Sequence, residues 1–273
     1  MTAAEPDPGA RGRVAVVTGA ARGIGAAVAL RLAADGWRLV LVDACADDPA
    51  VAYPLATRAD LDRTVAACAA RTEVVGVVAD VRDQGALDGA VGVASESFGG
   101  LDGAVAVAGI VGGGGPLWET DDRLFAAMLG VNLEGVWRLT RAAVPLMLQR
   151  PRPRSGRLVA VASAGAVVGL PRLGAYSAAK HGVVGLVRSL AAELGDEGIT
   201  ANVVAPGSTR TQALTASAAV YGLGEPEEFA VHHLERRLLD PDEIAAAVGW
   251  LCSPSASGVN GAVLPVDAGM TSR

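Results

Sequence analysis

One lysine stands in the whole chain. Of 23 basic side chains in 273 residues, only Lys180 is not an arginine. Aromatic residues make up 4%, so the core has to come from the Ala, Val and Leu that dominate a 51% apolar fraction. That composition suits a closely packed α/β protein. Cysteine is scarce as well. Cys45, Cys68 and Cys252 are scattered, which excludes a disulfide framework and any metal-ligand spacing. No apolar run approaches the ~20 residues a membrane span requires. The opening MTAAEPDPGARGR lacks the apolar centre of a signal peptide. A formal charge of −6 argues against nucleic acid or an anionic membrane as partner. The expectation is a soluble, cytoplasmic protein.

What is present is a rhythm. Short β-branched runs recur: RVAVVTG, RLVLVDA, EVVGVVAD, LDGAVAVAG, GRLVAVAS, GITANVVAPG and GAVLPVDAG. Their near-continuous hydrophobicity suits strands buried on both faces of a parallel sheet. Between them lie Ala/Leu-rich stretches at Ile24–Ala34, Leu87–Phe98, Val131–Leu148, Tyr176–Leu194 and Asp242–Leu251, which read as helices. The alternation predicts a Rossmann-type doubly wound parallel sheet of about seven strands flanked by helices. No composition break divides it. Residues 13–273 read as one dinucleotide-binding catalytic domain behind a flexible tail, 1–12. Arg150–Arg157 reads as a solvated loop.

The first strand runs into TGAARGIG, Thr18–Gly25. Gly19, Gly23 and Gly25 allow a sharp turn and a close approach of backbone to ligand. Arg22 and Ile24 complete the turn. The helix starting there would aim its free N–H groups and positive dipole end at a pyrophosphate. A glycine pattern alone is a weak signal, and its place at a strand–helix junction strengthens it. The second strand ends at Asp43, whose carboxylate can accept from ribose hydroxyls and repel a 2′-phosphate. That favours NAD, against a weaker opposing pull from Arg22. After strand three, Asp80 can accept from an adenine amino group while Val81 covers the ring.

Tyr176 and Lys180 stand four apart, on one face of a helix. Ser163 closes the fifth strand at the carboxyl edge, where doubly wound sheets bind ligands. Alcohol oxidation by hydride transfer needs a base for the hydroxyl proton. Free tyrosine, with a pKa of ~10, is too weakly acidic to serve at neutral pH. A neighbouring ammonium would lower that value, and Ser163 can donate to the same substrate oxygen. Lys180 can also reach a nicotinamide ribose, a task for a compact ammonium rather than a guanidinium fork. Asn132, one of three asparagines, lies in a helical stretch where Asn is a poor former. Its amide can hold a water that relays protons to Lys180.

With these residues in view, the chain resembles the short-chain dehydrogenase/reductase family over essentially its full length. The likeness rests on TGAARGIG, on Asn132 and Ser163, and on Tyr176-Ser-Ala-Ala-Lys180. It implies Tyr176 as acid/base, Lys180 as ribose ligand and pKa modifier, Ser163 as oxygen stabiliser and Asn132 as relay. It also implies that Pro206 and Gly207 pack on the nicotinamide, with Thr209 and Thr211 close to them. Ala108 and Gly109 would touch cofactor through backbone. A homotetramer is implied too, through the small-residue faces of the helices that hold Asn132 and Tyr176.

Two features depart from the family pattern. Val107 stands where an Asn is usual, so a scaffold hydrogen bond must be replaced or lost. The interval from Asp43 to Asp80 is lengthened by CADDPAVAYPLATRADL, expected near the adenosine half of the cofactor. That insertion resembles the mycofactocin-associated subfamily of actinobacteria. The resemblance implies tightly held, non-exchanging NAD reoxidised by the peptide-derived carrier mycofactocin.

The loop GIVGGGGPLWET is expected to be mobile, with Trp118 anchoring it, and the resemblance implies a substrate lid in the loop Ser208–Arg236 after the sixth strand. Val111, Val167, Leu170, Leu214, Tyr221, Leu223 and Phe229 are expected to shape an apolar pocket for a hydrophobic secondary alcohol or its ketone. His232 and His233, adjacent on the chain, make a poor chelate, so no metal is expected.

Overall fold

The computed structural model describes residues 12–272. Apart from Gly12, the expected tail lies outside them. Seven strands, all parallel, form one sheet in the order β3-β2-β1-β4-β5-β6-β7. They are β1 (Val14–Thr18), β2 (Arg38–Asp43), β3 (Val74–Val78), β4 (Gly103–Ala106), β5 (Gly156–Val161), β6 (Ile199–Pro206) and β7 (Val263–Val266). β1, β4, β5 and β6 are buried along their whole length, as their unbroken apolar runs require.

Successive side chains point to opposite faces, so each strand feeds two cores. Val14 and Val16 pack with residues of α3 (Gln84–Phe98), α5 (Gly135–Leu148) and α6 (Gly174–Leu194). Ala15 and Val17 pack on the other face with α1 (Gly23–Ala34), α2 (Arg58–Ala69) and α8 (Pro241–Cys252). A third, small cluster joins Leu214 and Ala218 of α7 (Gln212–Tyr221) to Phe229 and Leu238.

Three helices lie where the sequence pattern pointed elsewhere. The end of the insertion becomes the first turn of α2, started by a reciprocal cap in which Thr57 and Asp60 satisfy each other's backbone N–H. The segment read as a substrate lid contains α7, capped by Thr211. The helix expected from Val131 begins earlier, as α4 (Asp122–Leu129), and reaches α5 through a π-helical turn, Gly130–Glu134. Arg150–Arg157 is a loop up to β5, but its arginines are paired: Arg150 with Asp102, and Arg152 and Arg154 with Glu197.

The strand order reverses between β1 and β4. A crevice opens there beyond the carboxyl ends of the strands, which is where open α/β sheets take ligands.

Candidate active site

A continuous cleft of about 1030 Å³ occupies that crevice. Its walls hold every residue expected of a cofactor and catalytic site, from Gly19 through Asp43, Asp80, Gly109, Asn132, Ser163, Tyr176 and Lys180 to Thr211.

One end is built to receive a phosphate. Gly19 has φ +69°, and a Cβ there would lie 2.6 Å from the Ala108 backbone. A Cβ on Gly25 would lie 1.9 Å from the Gly19 carbonyl oxygen. Only glycine lets this loop fold onto the β4 strand end. No side chain caps the N-terminus of α1 and no acid sits in its first turn, so its amides are left for a ligand. Asp43 shapes the loop through its carboxylate, which accepts from the Ala21 N–H at 3.1 Å and the Cys45 N–H at 3.2 Å. These features fit a dinucleotide.

Asp80, beyond β3, is gripped by Arg82 through both carboxylate oxygens. Burial pushes the Asp80 carboxyl up, but the hydrogen bonds from Arg82 outweigh it and leave the group below its ordinary range. The other face of Arg82 pairs with buried Asp48 at 2.6 Å. No sequence pattern marks Arg82, since a lone arginine after a strand carries none.

At the other end the catalytic candidates converge. Ser163 follows β5, and its hydroxyl accepts from the Gly165 N–H at 3.0 Å. Lys180 is buried on α6, donates to the Val161 carbonyl at 3.0 Å, and lies 5.7 Å from the centroid of the Tyr176 ring. Burial pushes the Lys180 ammonium down to about 8. Burial also pushes the Tyr176 phenol up. The Ser163 hydroxyl pulls it back without cancelling the rise, and Tyr53 adds to it. In the protein alone the expected lowering by Lys180 is not produced, because burial raises the phenol and disfavours the ammonium beside it.

Asn132 has a different task from the expected water-holding amide. Fully buried in the π-helical turn, it accepts from the Ile110 N–H at 3.1 Å and donates to the Ile110 and Met128 carbonyls, each at 3.0 Å. The amide pins the segment after β4. A Cβ on Gly109 would meet Asn132 Oδ1 at 2.8 Å and Lys180 Nζ at 3.5 Å, so this glycine lies between them.

The sequence profile described as enoyl-(acyl carrier protein) reductase matches residues 19–271. An uncharacterized NAD-dependent oxidoreductase of Mycobacterium tuberculosis is 39% identical, over 94% of this chain and 95% of that one. The (-)-trans-carveol dehydrogenase of Rhodococcus erythropolis is 35% identical, over 95% and 98%. Among solved structures, carveol dehydrogenase from Mycobacterium avium in complex with NAD superposes with a TM-score of 0.90 at 35% identity, covering 96% of this chain and 99% of that one. The chain belongs to the short-chain dehydrogenase/reductase family.

In this dehydrogenase/reductase, Val107 in place of the usual Asn leaves no orphan amide behind. The Thr18 hydroxyl accepts from the N–H groups of Val107 and Ala108 at 3.3 and 3.4 Å. Pro206 ends β6 and Gly207 follows it, both lining the cleft, and Thr209 is buried with its hydroxyl on the Gly207 carbonyl. Thr211 caps α7 and touches the glycine loop at Gly23. His233 is fully buried, accepting the Ser208 N–H at 3.1 Å and facing the Arg237 carbonyl through its other nitrogen, which fixes the lid base.

The insertion after β2 lines the cleft through Asp47, Asp48, Tyr53 and Leu55. It crosses the cleft, and its Tyr53 hydroxyl accepts from the Val111 N–H at 3.0 Å. Arg22 donates to Gln212 at 2.6 Å and to the Pro54 carbonyl at 2.9 Å. The Gly114 N–H donates to the Arg172 carbonyl, and the Tyr221 hydroxyl to the Pro171 carbonyl. Gln212 and Tyr221 are opposite ends of α7, so these contacts close a ring around the cleft mouth.

Leu170, Leu214, Tyr221, Leu223 and Phe229 line the cleft, and Met270 joins them from the C-terminal turn. Val167 does not, being 43% exposed outside the cleft. Trp118 is 85% exposed and anchors nothing; its neighbour Leu117 packs against Gly174 instead. Among the described residues, no helix is long and apolar enough to cross a membrane.

Proposed function

We propose that this enzyme interconverts a hydrophobic secondary alcohol and its ketone, using NAD. The observation that carries this reading is the convergence of Ser163, Tyr176 and Lys180 on one end of a cleft whose other end is a glycine-lined phosphate cradle. The nicotinamide cofactor, when bound, supplies the hydride acceptor or donor. Gly19 to Gly25 and the α1 N-terminus hold its pyrophosphate, and Asp43 its adenosine ribose. Asp80 and Val81 receive the adenine.

Tyr176 Oη takes the alcohol proton in oxidation and returns it in reduction. Ser163 Oγ orients the same substrate oxygen. Lys180 holds the nicotinamide ribose. Asn132 keeps the β4 end in place beside them. The apolar lining and the carveol dehydrogenase relatives favour a cyclic, terpene-like alcohol. The ring of contacts around the cleft mouth supports slow NAD exchange, and hence reoxidation by an external carrier of the mycofactocin type. Exposed Phe125 on α4 and Trp137 on α5 support a homotetramer built on those helices.

The test is to denature desalted protein, identify the released nucleotide, and screen secondary alcohols with and without an artificial electron acceptor. Retained NAD(H), with turnover that depends on the acceptor, supports the whole reading. Turnover with added NAD alone leaves an ordinary dehydrogenase with free exchange. NADP(H) in the bound fraction contradicts the role given to Asp43.

A further inference from the structure

Among the described residues, Tyr53 is the one point at which the insertion after β2 hydrogen-bonds to the segment after β4. The insertion is internally braced. The Ala50 N–H donates to Asp48 and the Leu55 N–H to Asp47, both at 2.7 Å, and Asp48 is locked to Arg82. Val51 of the insertion comes close to Gly112 of the segment after β4. A Cβ there would strike Leu124 at 2.7 Å and reach Val51 of the insertion at 3.6 Å. Val111 is buried, lines the cleft, and stands two residues beyond Gly109, where a Cβ would meet Asn132 Oδ1 at 2.8 Å and Lys180 Nζ at 3.5 Å. The N–H of Val111 is met by the Tyr53 hydroxyl. Removing that acceptor leaves a buried donor without a partner, which costs more than the bond itself is worth.

We propose that Tyr53 is a positioning residue for the reaction: by holding the Val111 N–H it fixes a wall of the substrate pocket from the segment that covers the dinucleotide, so that substrate and cofactor bind cooperatively. This inference rests on the function proposed above. If Tyr53 only covered the cofactor, its ring would suffice and its hydroxyl would be idle. The hydroxyl is instead the group that makes the contact. Coupling of this kind is reciprocal: whatever factor the alcohol adds to NADH affinity, NADH adds to alcohol affinity.

The experiment titrates NADH by its fluorescence into protein first stripped of any resident nucleotide, alone and with the secondary alcohol that the screen finds most active. NADH and alcohol are a non-reacting pair. The wild-type enzyme should bind NADH about 5-fold or more tightly with the alcohol present. In Tyr53→Phe that ratio should fall towards one and the alcohol KM should rise by a similar factor, with kcat little changed. Tyr53→Leu, which also removes the ring, should lose the ratio at least as fully. A wild-type ratio of one, or a ratio that Tyr53→Phe leaves intact, overturns the proposal. A wild-type protein that binds no NADH, or oxidises no alcohol, contradicts the function itself, which is a separate outcome.

Discussion

Lys180 Nζ is bonded to the Val161 carbonyl at 3.0 Å while lying 5.7 Å from the centre of the Tyr176 ring. The carbonyl fixes the ammonium from the strand side, and α6 fixes the tyrosine one turn away. This is why the one lysine of the chain is not an arginine. Gly109 and Asn132 crowd the position, and a guanidinium would displace them. Lys180→Arg should lower kcat/KM about 10²-fold, the scale of loss expected from a misplacement of about 1 Å. Steady-state kinetics at fixed pH check this.

The same burial makes a pH signature. Lys180 is pushed down to about 8 in the fold, against an ordinary value of 10.5. Between those values the unfolded chain binds a proton that the native state does not, so this group's contribution to stability rises with pH across that window. The buried cysteines act oppositely above pH 9, since burial raises their thiols. Subtracting the Lys180→Met denaturation profile from that of the wild type should leave the rising component. In activity, alcohol oxidation should rise with pH and ketone reduction fall, because one requires Tyr176 deprotonated and the other protonated.

Asn132 is a stability residue as much as a site residue. Asn132→Ala strands the buried N–H and C=O of Ile110, at about 1–3 kcal/mol for each group left unpaired. Denaturant unfolding should show a loss of a few kcal/mol by that measure, and activity should fall even where the protein remains folded.

Asp43→Ser removes the charge that would repel a 2′-phosphate and also one acceptor for the glycine loop. The ratio of NAD to NADP affinity should drop at least tenfold, or about 1.4 kcal/mol. Titration with each reduced nucleotide reads it directly.

The sheet was legible because buried parallel strands write themselves as short apolar runs, and the glycine loop because its backbone demands are local. Tyr176 and Lys180 were legible as a pair one helical turn apart. What was not legible depends on contacts between distant segments. No local pattern couples Tyr53 to Val111, Arg22 to both Pro54 and Gln212, or His233 to Ser208. The Asn132 amide was misread for the same reason: its partner Ile110 lies 22 residues away. Trp118 was misread because a large aromatic is ordinarily a packing residue, and here its neighbour Leu117 takes that place. The α2 and α7 helices were hidden in segments whose other features suggested an insertion and a lid.

The most direct test of the account is Tyr176→Phe. The substitution keeps the ring and removes only the hydroxyl assigned to proton transfer. Turnover of the best secondary alcohol should fall by about 10²–10⁴-fold, while NADH affinity and melting temperature stay close to wild type. Turnover near the wild-type rate would contradict the assignment of the proton to Tyr176, and with it the mechanism.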